Sequence, residues 1–294
     1  MTICSAGRLF KTTLDKEKPL QIVGTVNAYI AIMARKIGIK AIYLSGAGVA
    51  NSSYGLPDLG VTTLDNVLED ARRITSAVDV PLLVDIDTGF GTAFMIARTV
   101  REMIKAGVAA VHIEDQVAAK RCGHRPGKTL VPVEEMADRI KAAVDARCDP
   151  DFVIMARTDA FSVEGLEKAV ERGVAYKKAG ADMLFAEALT GLDQYRTIKE
   201  KVGLPILANM TEFGRTPLFP ARQLYEAGVD MVLYPLSVNR AMNKAALQVM
   251  QTILREGSQK RVLASMQSRE ELYDFLDYLA YEQKLDDLFG RKKE

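Results

Sequence analysis

Short apolar runs rich in β-branched residues alternate along the chain with longer stretches whose apolar positions recur at helical spacing. The runs are QIVGTVNA from Gln21, AIYLSGAG from Ala41, PLLVDIDTG from Pro81 and AAVHIEDQ from Ala109. They continue with FVIMARTDA from Phe152, MLFAEAL from Met183, PILANMTEF from Pro205 and MVLYPLS from Met231. Eight strands separated by helix-sized intervals predict an α/β fold of the (β/α)8 TIM-barrel type. An open doubly wound sheet usually has fewer strands and a glycine-rich phosphate turn after the first, and no G-x-G-x-x-G follows Asn27. No low-complexity segment or break in composition marks a linker, so residues 1–294 are expected to form one barrel domain with a helical extension at the C-terminus.

Between the runs, LEDARRITSAV and GLEKAVERGVAYKKAG carry the helical pattern. The tripeptides AGV, AGA and AGV at Ala106, Ala179 and Ala227 set a glycine just past a helix, where a left-handed cap is wanted. After the eighth strand, Ser268 and Glu271 form a capping box opening an extra amphipathic helix with Leu272, Phe275, Leu276 and Leu279 along one stripe. Eight helices already cover a barrel, so this ninth apolar face needs either a free part of the same barrel or a neighbouring subunit.

Length and composition agree with this picture: 294 residues suit one α/β barrel, a class centred on about 250, and 48% hydrophobic residues are enough for a large core. Lys and Arg number 39 against 38 Asp and Glu, which disfavours nucleic acid or an anionic membrane as the main partner but allows a local cationic pocket. Three cysteines without regular spacing argue against a disulfide framework and for a reducing compartment. No apolar run reaches the roughly 18 residues of a membrane span, and MTICSAGRLFKTTLDKEKP lacks a secretory core. The start is free of acids until Asp15, but the cytoplasm is a better expectation than a transit peptide.

The chemistry gathers at strand ends, where barrel enzymes carry reactive groups. Residues two apart share a face of a strand, which groups Tyr43 with Ser45, Asp85 with Asp87, Arg157 with Asp159, and Asn209 with Thr211, alongside Glu114 and Glu187. Asp85-Ile86-Asp87 with Glu114 is rich in oxygen and free of sulfur, a donor set for a hard cation such as Mg2+ or Mn2+. The structural alternative is an ion-pair network with Arg157. Only two histidines exist, which disfavours zinc, and His112 sits deep enough on its strand to read as a hydrogen-bonded core residue.

The loop after the fourth strand carries KRCGHRPGK, residues 120–128. Cationic neighbours favour a thiolate at Cys122 and let it exchange protons near neutral pH. Gly123 and Gly127 give the loop freedom to move and close. Cys122 and His124 could act as a hydrolase-type nucleophile and base, but that leaves the aspartates idle. A thiol working as acid or base beside a metal-bound carboxylate substrate uses every part. Cys4 and Cys148 lack such surroundings and read as ordinary small residues. No predicted strand holds a lysine, so a Schiff-base aldolase is not supported.

KRCGHRPGK together with LLVDIDTGFG, HIEDQ, IMARTDA and ILANMTEFG resembles the isocitrate lyase/phosphoenolpyruvate mutase superfamily over essentially the whole chain, from LQIVGTVNA through YPLSVNRAMN to QKLDDLF. The K-[KR]-C-G-H loop points to its lyase branch. The resemblance implies a Mg2+-dependent retro-Claisen carbon–carbon lyase that cleaves 2-methylisocitrate to pyruvate and succinate in the methylcitrate cycle of propionate catabolism. Isocitrate or another 2-hydroxy diacid is the alternative substrate. It implies a homotetramer in which the last barrel helix is exchanged between subunits.

Position by position, the resemblance implies that Ser45, Gly46 and Ala47 bind a substrate carboxylate. Asp85 and Asp87 would hold Mg2+ directly or through water, with Asp58 and Glu114 in support. Cys122 would donate a proton to the succinyl carbon, with His124 beside it and Gly123 facing the substrate, and Tyr43 is the residue named as base. Arg157, Glu187, Asn209, Thr211, Arg240 and Arg269 would complete the site, the three arginines matching a tricarboxylate. Phe185, Leu233 and Pro235 match residues that shape a methyl pocket. Ala47, Ala186 and Gly127 stand where Gly, Pro and Asn are commoner.

Overall fold

Alternation of side chains sorts each apolar run into an inner and an outer face, and the strands follow. They are β1 (Leu20–Gly24), β2 (Ala41–Leu44), β3 (Leu82–Asp85), β4 (Ala110–Glu114), β5 (Val153–Thr158), β6 (Met183–Ala186), β7 (Ile206–Asn209) and β8 (Met231–Tyr234). In the computed structural model, which describes residues 5–290, all are parallel and β8 closes onto β1. The expected (β/α)8 barrel is the fold. Every strand begins within one residue of its predicted start. The strands end earlier than the runs do, because the polar tails leave the sheet and become loops at the C-terminal mouth.

Ile42, Leu44, Val84, Val111, Ile113, Ile154, Leu184, Ile206 and Val232 face outward and pack with the helices. Ala41, Tyr43, Leu83, Val153, Met155, Met183, Phe185, Leu207, Met231 and Leu233 fill the interior. Phe10 and Leu14 of the helix Ala6–Lys16 join that interior cluster. Gly7 of the same helix lies against Asp151, just before β5, so this helix plugs the end opposite the mouth. The helix Leu64–Ala77 begins at a Thr63/Asn66 capping box, and Gly107, Gly180 and Gly228 take the positive φ expected of helix caps.

The described residues fall into two compact units that divide between Ser237 and Val238. The second contains most of the helix Ser237–Glu256, then Arg269–Phe275 and Tyr278–Phe289. The Ser268/Glu271 capping box is present. The single amphipathic helix expected there is broken, because Asp277 adopts φ 52°, and Leu279 belongs to the following helix. The rings of Tyr273 and Tyr278 stack across the break at 4.3 Å. Cys148 is an exposed free thiol, and Cys4 lies outside the described residues.

Candidate active site

Strand register brings the predicted groups to one level at the mouth. Asp85 pairs with His112, Glu114 with Arg157, Arg157 with Phe185 and Asn209 with Leu233. The parity argument therefore holds for Tyr43, Asp85, Glu114, Arg157 and Asn209, all on inward-facing positions.

On one side stand the carboxylates. Asp85 accepts from the Gly46 N–H at 3.2 Å and from the Asp87 N–H at 2.9 Å. Asp87 turns back toward it through a positive φ of 49°. Burial works to raise Asp85, but the neighbouring His112, Lys120 and Arg157 outweigh it and hold the carboxyl below the usual range. Asp87 goes the other way: burial, then the charge of Asp85, push it up to about 7. Glu114 is buried with no hydrogen bond to either oxygen, only Arg157 Nε at 3.4 Å, and burial pushes it up to about 8.

On the other side Arg157 is wrapped by acids: Asp159 at 3.0 Å, Glu187 at 3.3 Å and Glu114. Its guanidinium lies 5.0 Å over the Phe185 ring. Burial opposes charge at Glu187, but Arg157 and then His124 outweigh it and hold the acid at about 2. Asn209 Nδ2 donates to Glu187 at 3.2 Å. His124 accepts the Arg215 N–H on Nδ1 at 3.0 Å, which leaves Nε2 to carry the proton toward Glu187 at 3.2 Å. Thr211 is buried close by, within reach of the same Gly214 that abuts His124.

The loop 116–130 forms a lid seated by its lysines. Lys120, 5% exposed, binds Asp58 at 2.9 Å and also Asp87. Lys128, 8% exposed, binds Asp159 at 2.6 Å and donates to the Gly123 carbonyl. Both lysines are therefore spent on carboxylates, so Lys120, one of the cations expected to act on Cys122, is committed elsewhere. His124 is likewise engaged with Glu187 and Arg215, so it is not the base of a Cys–His pair. Gly123 has no positive φ; it is glycine for lack of room, since a Cβ there would lie 2.4 Å from Arg157 Nη2 and 2.7 Å from Glu187 Cγ. Cys122 is exposed, one residue from those contacts.

Deeper in the barrel, the Tyr43 hydroxyl lies 2.9 Å from His112 Nε2. Burial and Asp85 raise the phenol well above its ordinary value, so Tyr43 is neutral here. His112 is pushed down to about 4 by burial and is neutral as well. The reading of His112 as a hydrogen-bonded core residue agrees with this, but Asp85 Oδ1 stands 3.7 Å from its Nδ1, so it also borders the site.

Among the remaining predicted residues, Ser45 caps a short helical turn through the Gly48 N–H at 3.3 Å. The Gly46 N–H is already committed to Asp85, while Ala47 is half-buried. Phe185 and Leu233 belong to the interior core, and the carbonyl of Pro235 lies where a side chain on Gly24 would be. Arg240 and Arg269 are carried by the second unit.

Sequence reasoning missed Lys120 and Lys128 as the lid's latches. It also missed Asp115, which parity could have flagged, because an acid beside Glu114 must face the helix layer and needs a partner there.

A family model described as phosphoenolpyruvate phosphomutase matches residues 10–254. The chain belongs to that family. A 2-methylisocitrate lyase of Shewanella oneidensis is 65% identical over 289 residues, 98% of this chain and 99% of the relative. Among solved structures, 2,3-dimethylmalate lyase, a member of the PEP mutase/isocitrate lyase superfamily, superposes with a TM-score of 0.89 at 34% identity, covering 97% and 96% of the two chains. Phosphonopyruvate hydrolase, solved with oxalate and Mg2+, superposes at 0.83 with 28% identity over 98% and 99%.

The residues of this family member fit a divalent cation. In the barrel mouth six carboxylates (Asp58, Asp85, Asp87, Glu114, Asp159 and Glu187) face three cations, Lys120, Lys128 and Arg157. Both Glu114 oxygens lack a hydrogen-bond donor. Among the described residues no three His, Cys, Asp or Glu side chains converge as a ready-made metal cage. No helix among the described residues is long and apolar enough to cross a membrane.

Proposed function

We propose that the chain is a Mg2+-dependent lyase that cleaves 2-methylisocitrate to pyruvate and succinate, the activity named for its 65% identical, full-length relative. The observation that carries this reading is the lid: it holds an exposed thiol beside Gly123, which abuts Arg157 and Glu187, and it latches onto Asp87 and Asp159. A cation held by Asp85 and Asp87, with Asp58 and Glu114 in support, would act as a Lewis acid on the substrate hydroxyl and its adjacent carboxylate.

The side chains divide the remaining work. Tyr43 alone is a poor base, because burial and Asp85 keep its phenol protonated. Bonded to neutral His112, it can take the substrate's hydroxyl proton as its own passes to His112 Nε2. The carbon–carbon bond then breaks, and its electron pair spreads into the succinyl carboxylate. Arg157, held by Asp159 and Glu187, stabilises that charge, with Ser45, Ala47, Asn209 and Thr211 orienting the substrate. Cys122 gives its proton to the carbon; its exposure lets solvent reprotonate the sulfur. Phe185, Leu233 and Pro235 supply an apolar wall for the methyl group.

Exposed Leu254, Leu279 and Phe289 of the second unit support assembly with further copies, in this reading a tetramer with exchanged helices. Free, exposed Cys122 suits the reducing cytoplasm.

The decisive experiment supplies the protein and Mg2+ with 2-methylisocitrate or isocitrate and measures pyruvate or glyoxylate. One methyl group in an apolar pocket is worth about 10–200-fold, so kcat/KM should favour 2-methylisocitrate by at least about tenfold. Equal or better cleavage of isocitrate overturns the assignment.

A further inference from the structure

The lid leaves the barrel at Asp115 and returns at Val131, and these two residues meet: the Val131 N–H donates to the Asp115 carbonyl at 2.9 Å. Behind the junction lies a buried polar cluster that the proposed bond cleavage does not use. The fully buried Asp115 carboxylate accepts from Thr158 Oγ1 at 2.7 Å, the Tyr176 hydroxyl at 2.8 Å and the Asp159 N–H at 3.0 Å. Arg172 donates to the Val131 carbonyl at 3.0 Å and to the Tyr176 hydroxyl at 3.1 Å. Its Nη1 also stands 3.5 Å from Asp115, while Nε and Nη2 grip Glu164 at 2.8 Å each.

We infer that Asp115, Tyr176 and Arg172 are positioning residues that clamp the hinge of the lid and so fix where Cys122 and Gly123 come to rest. Three features carry the inference. The cluster touches both stems of the lid, Asp115 on the way out and Val131 on the way back. It also reaches the lid's far latch, because Asp115 holds the Asp159 N–H, and Asp159 in turn binds both Lys128 and Arg157. Finally, buried charge is a costly way to gain stability, since a well-packed apolar cluster serves as well or better. Its value here lies in geometry: Tyr176 donates to Asp115 while accepting from Arg172, which allows one arrangement of the stems.

The kinetic part of this inference rests on the lyase reading, but the hinge has its own readout. Arg121 is an exposed tryptic site within the lid, whereas the bond after Arg125 precedes a proline and resists trypsin. Tyr176→Phe removes the hydroxyl without changing the shape of the ring. We expect it to raise the initial rate of cleavage after Arg121 about tenfold, the equilibrium equivalent of one hydrogen bond. We expect kcat/KM for 2-methylisocitrate to fall by a similar factor, with most of the loss in kcat and Tm within a few degrees of the parent. Arg172→Lys, which keeps the charge but loses the fork, should behave alike, and Glu164→Gln should do so more weakly. Unchanged cleavage after Arg121 in both Tyr176→Phe and Arg172→Lys overturns the inference, as does an equal rise at tryptic sites throughout the barrel. If the parent cleaves no 2-methylisocitrate, the lyase reading fails and the proteolysis still decides the hinge.

Discussion

Gly123→Ala is the sharpest single perturbation of the lid. The new Cβ would lie 2.4 Å from Arg157 Nη2, 2.7 Å from Glu187 Cγ and 2.9 Å from Glu187 Oε2. Neither neighbour can swing aside cheaply. Arg157 is locked by Asp159, Glu187 and Glu114 and lies over Phe185, while Glu187 is held by Asn209, His124 and the Ala188 N–H. Ordinary van der Waals contact therefore requires the lid backbone to retreat by about 1 Å.

That retreat pulls the Gly123 carbonyl from Lys128 and His124 from Glu187. Losing one hydrogen bond to a charged group costs about 1.5–3 kcal/mol, and a misplacement of about 1 Å near reacting atoms costs on the order of 10²-fold in rate. We expect kcat/KM to fall about 100-fold in a pyruvate-release assay, with Tm little changed because the lid lies outside the core. Gly127→Ala is the control: at φ 78° it strains the backbone by about 1–2 kcal/mol, but its steric neighbour is the far end of Arg121, which can move. It should cost about tenfold or less. Near-parental turnover in Gly123→Ala refutes the argument that the lid closes in this position during catalysis.

The thiol and the metal can be tested as directly. Cys122→Ser should lower turnover by orders of magnitude while binding of succinate and pyruvate survives in calorimetry; cleavage near the parental rate removes the proton-donor role. Chelation with EDTA should abolish turnover and Mg2+ restore it, and Asp87→Asn should weaken Mg2+ activation more than tenfold with Tm unchanged.

Period-2 alternation carried most of the barrel and the inner ring of the site. Tyr43, Asp85, Glu114, Arg157 and Asn209 each fall on an inward position of a strand whose start was legible from its apolar run. What alternation could not reveal are pairings made by loops across the chain. Lys120 joins Asp58 from 62 positions away and Lys128 joins Asp159 from 31, and neither spacing leaves a periodic trace. Tertiary pairing of the same kind put His124 against Glu187, although its nearest chemistry in sequence is Cys122. The break at Asp277 was hidden differently: Leu272, Phe275, Leu276 and Leu279 keep a helical stripe in sequence, and one left-handed residue is enough to part it.

The crowded cations of KRCGHRPGK then have a structural reason. Lys120 and Lys128 stand at the two flanks of the lid and bury their charges against acids that follow β3 and β5, while Arg121 and Arg125 stay exposed. A net charge of +1 conceals this, because the matching acids lie on other strands and loops. Six carboxylates against three cations leave the mouth too negative to receive an anionic substrate unaided. Part of that excess is relieved by protons, for burial pushes Asp87 up to about 7 and Glu114 to about 8. A divalent ion held by Asp85 and Asp87 would relieve the same excess without protonating its own ligands. On the proposed reading, the acids that make the site inhospitable to a tricarboxylate are the ones that would recruit the charge needed to admit it.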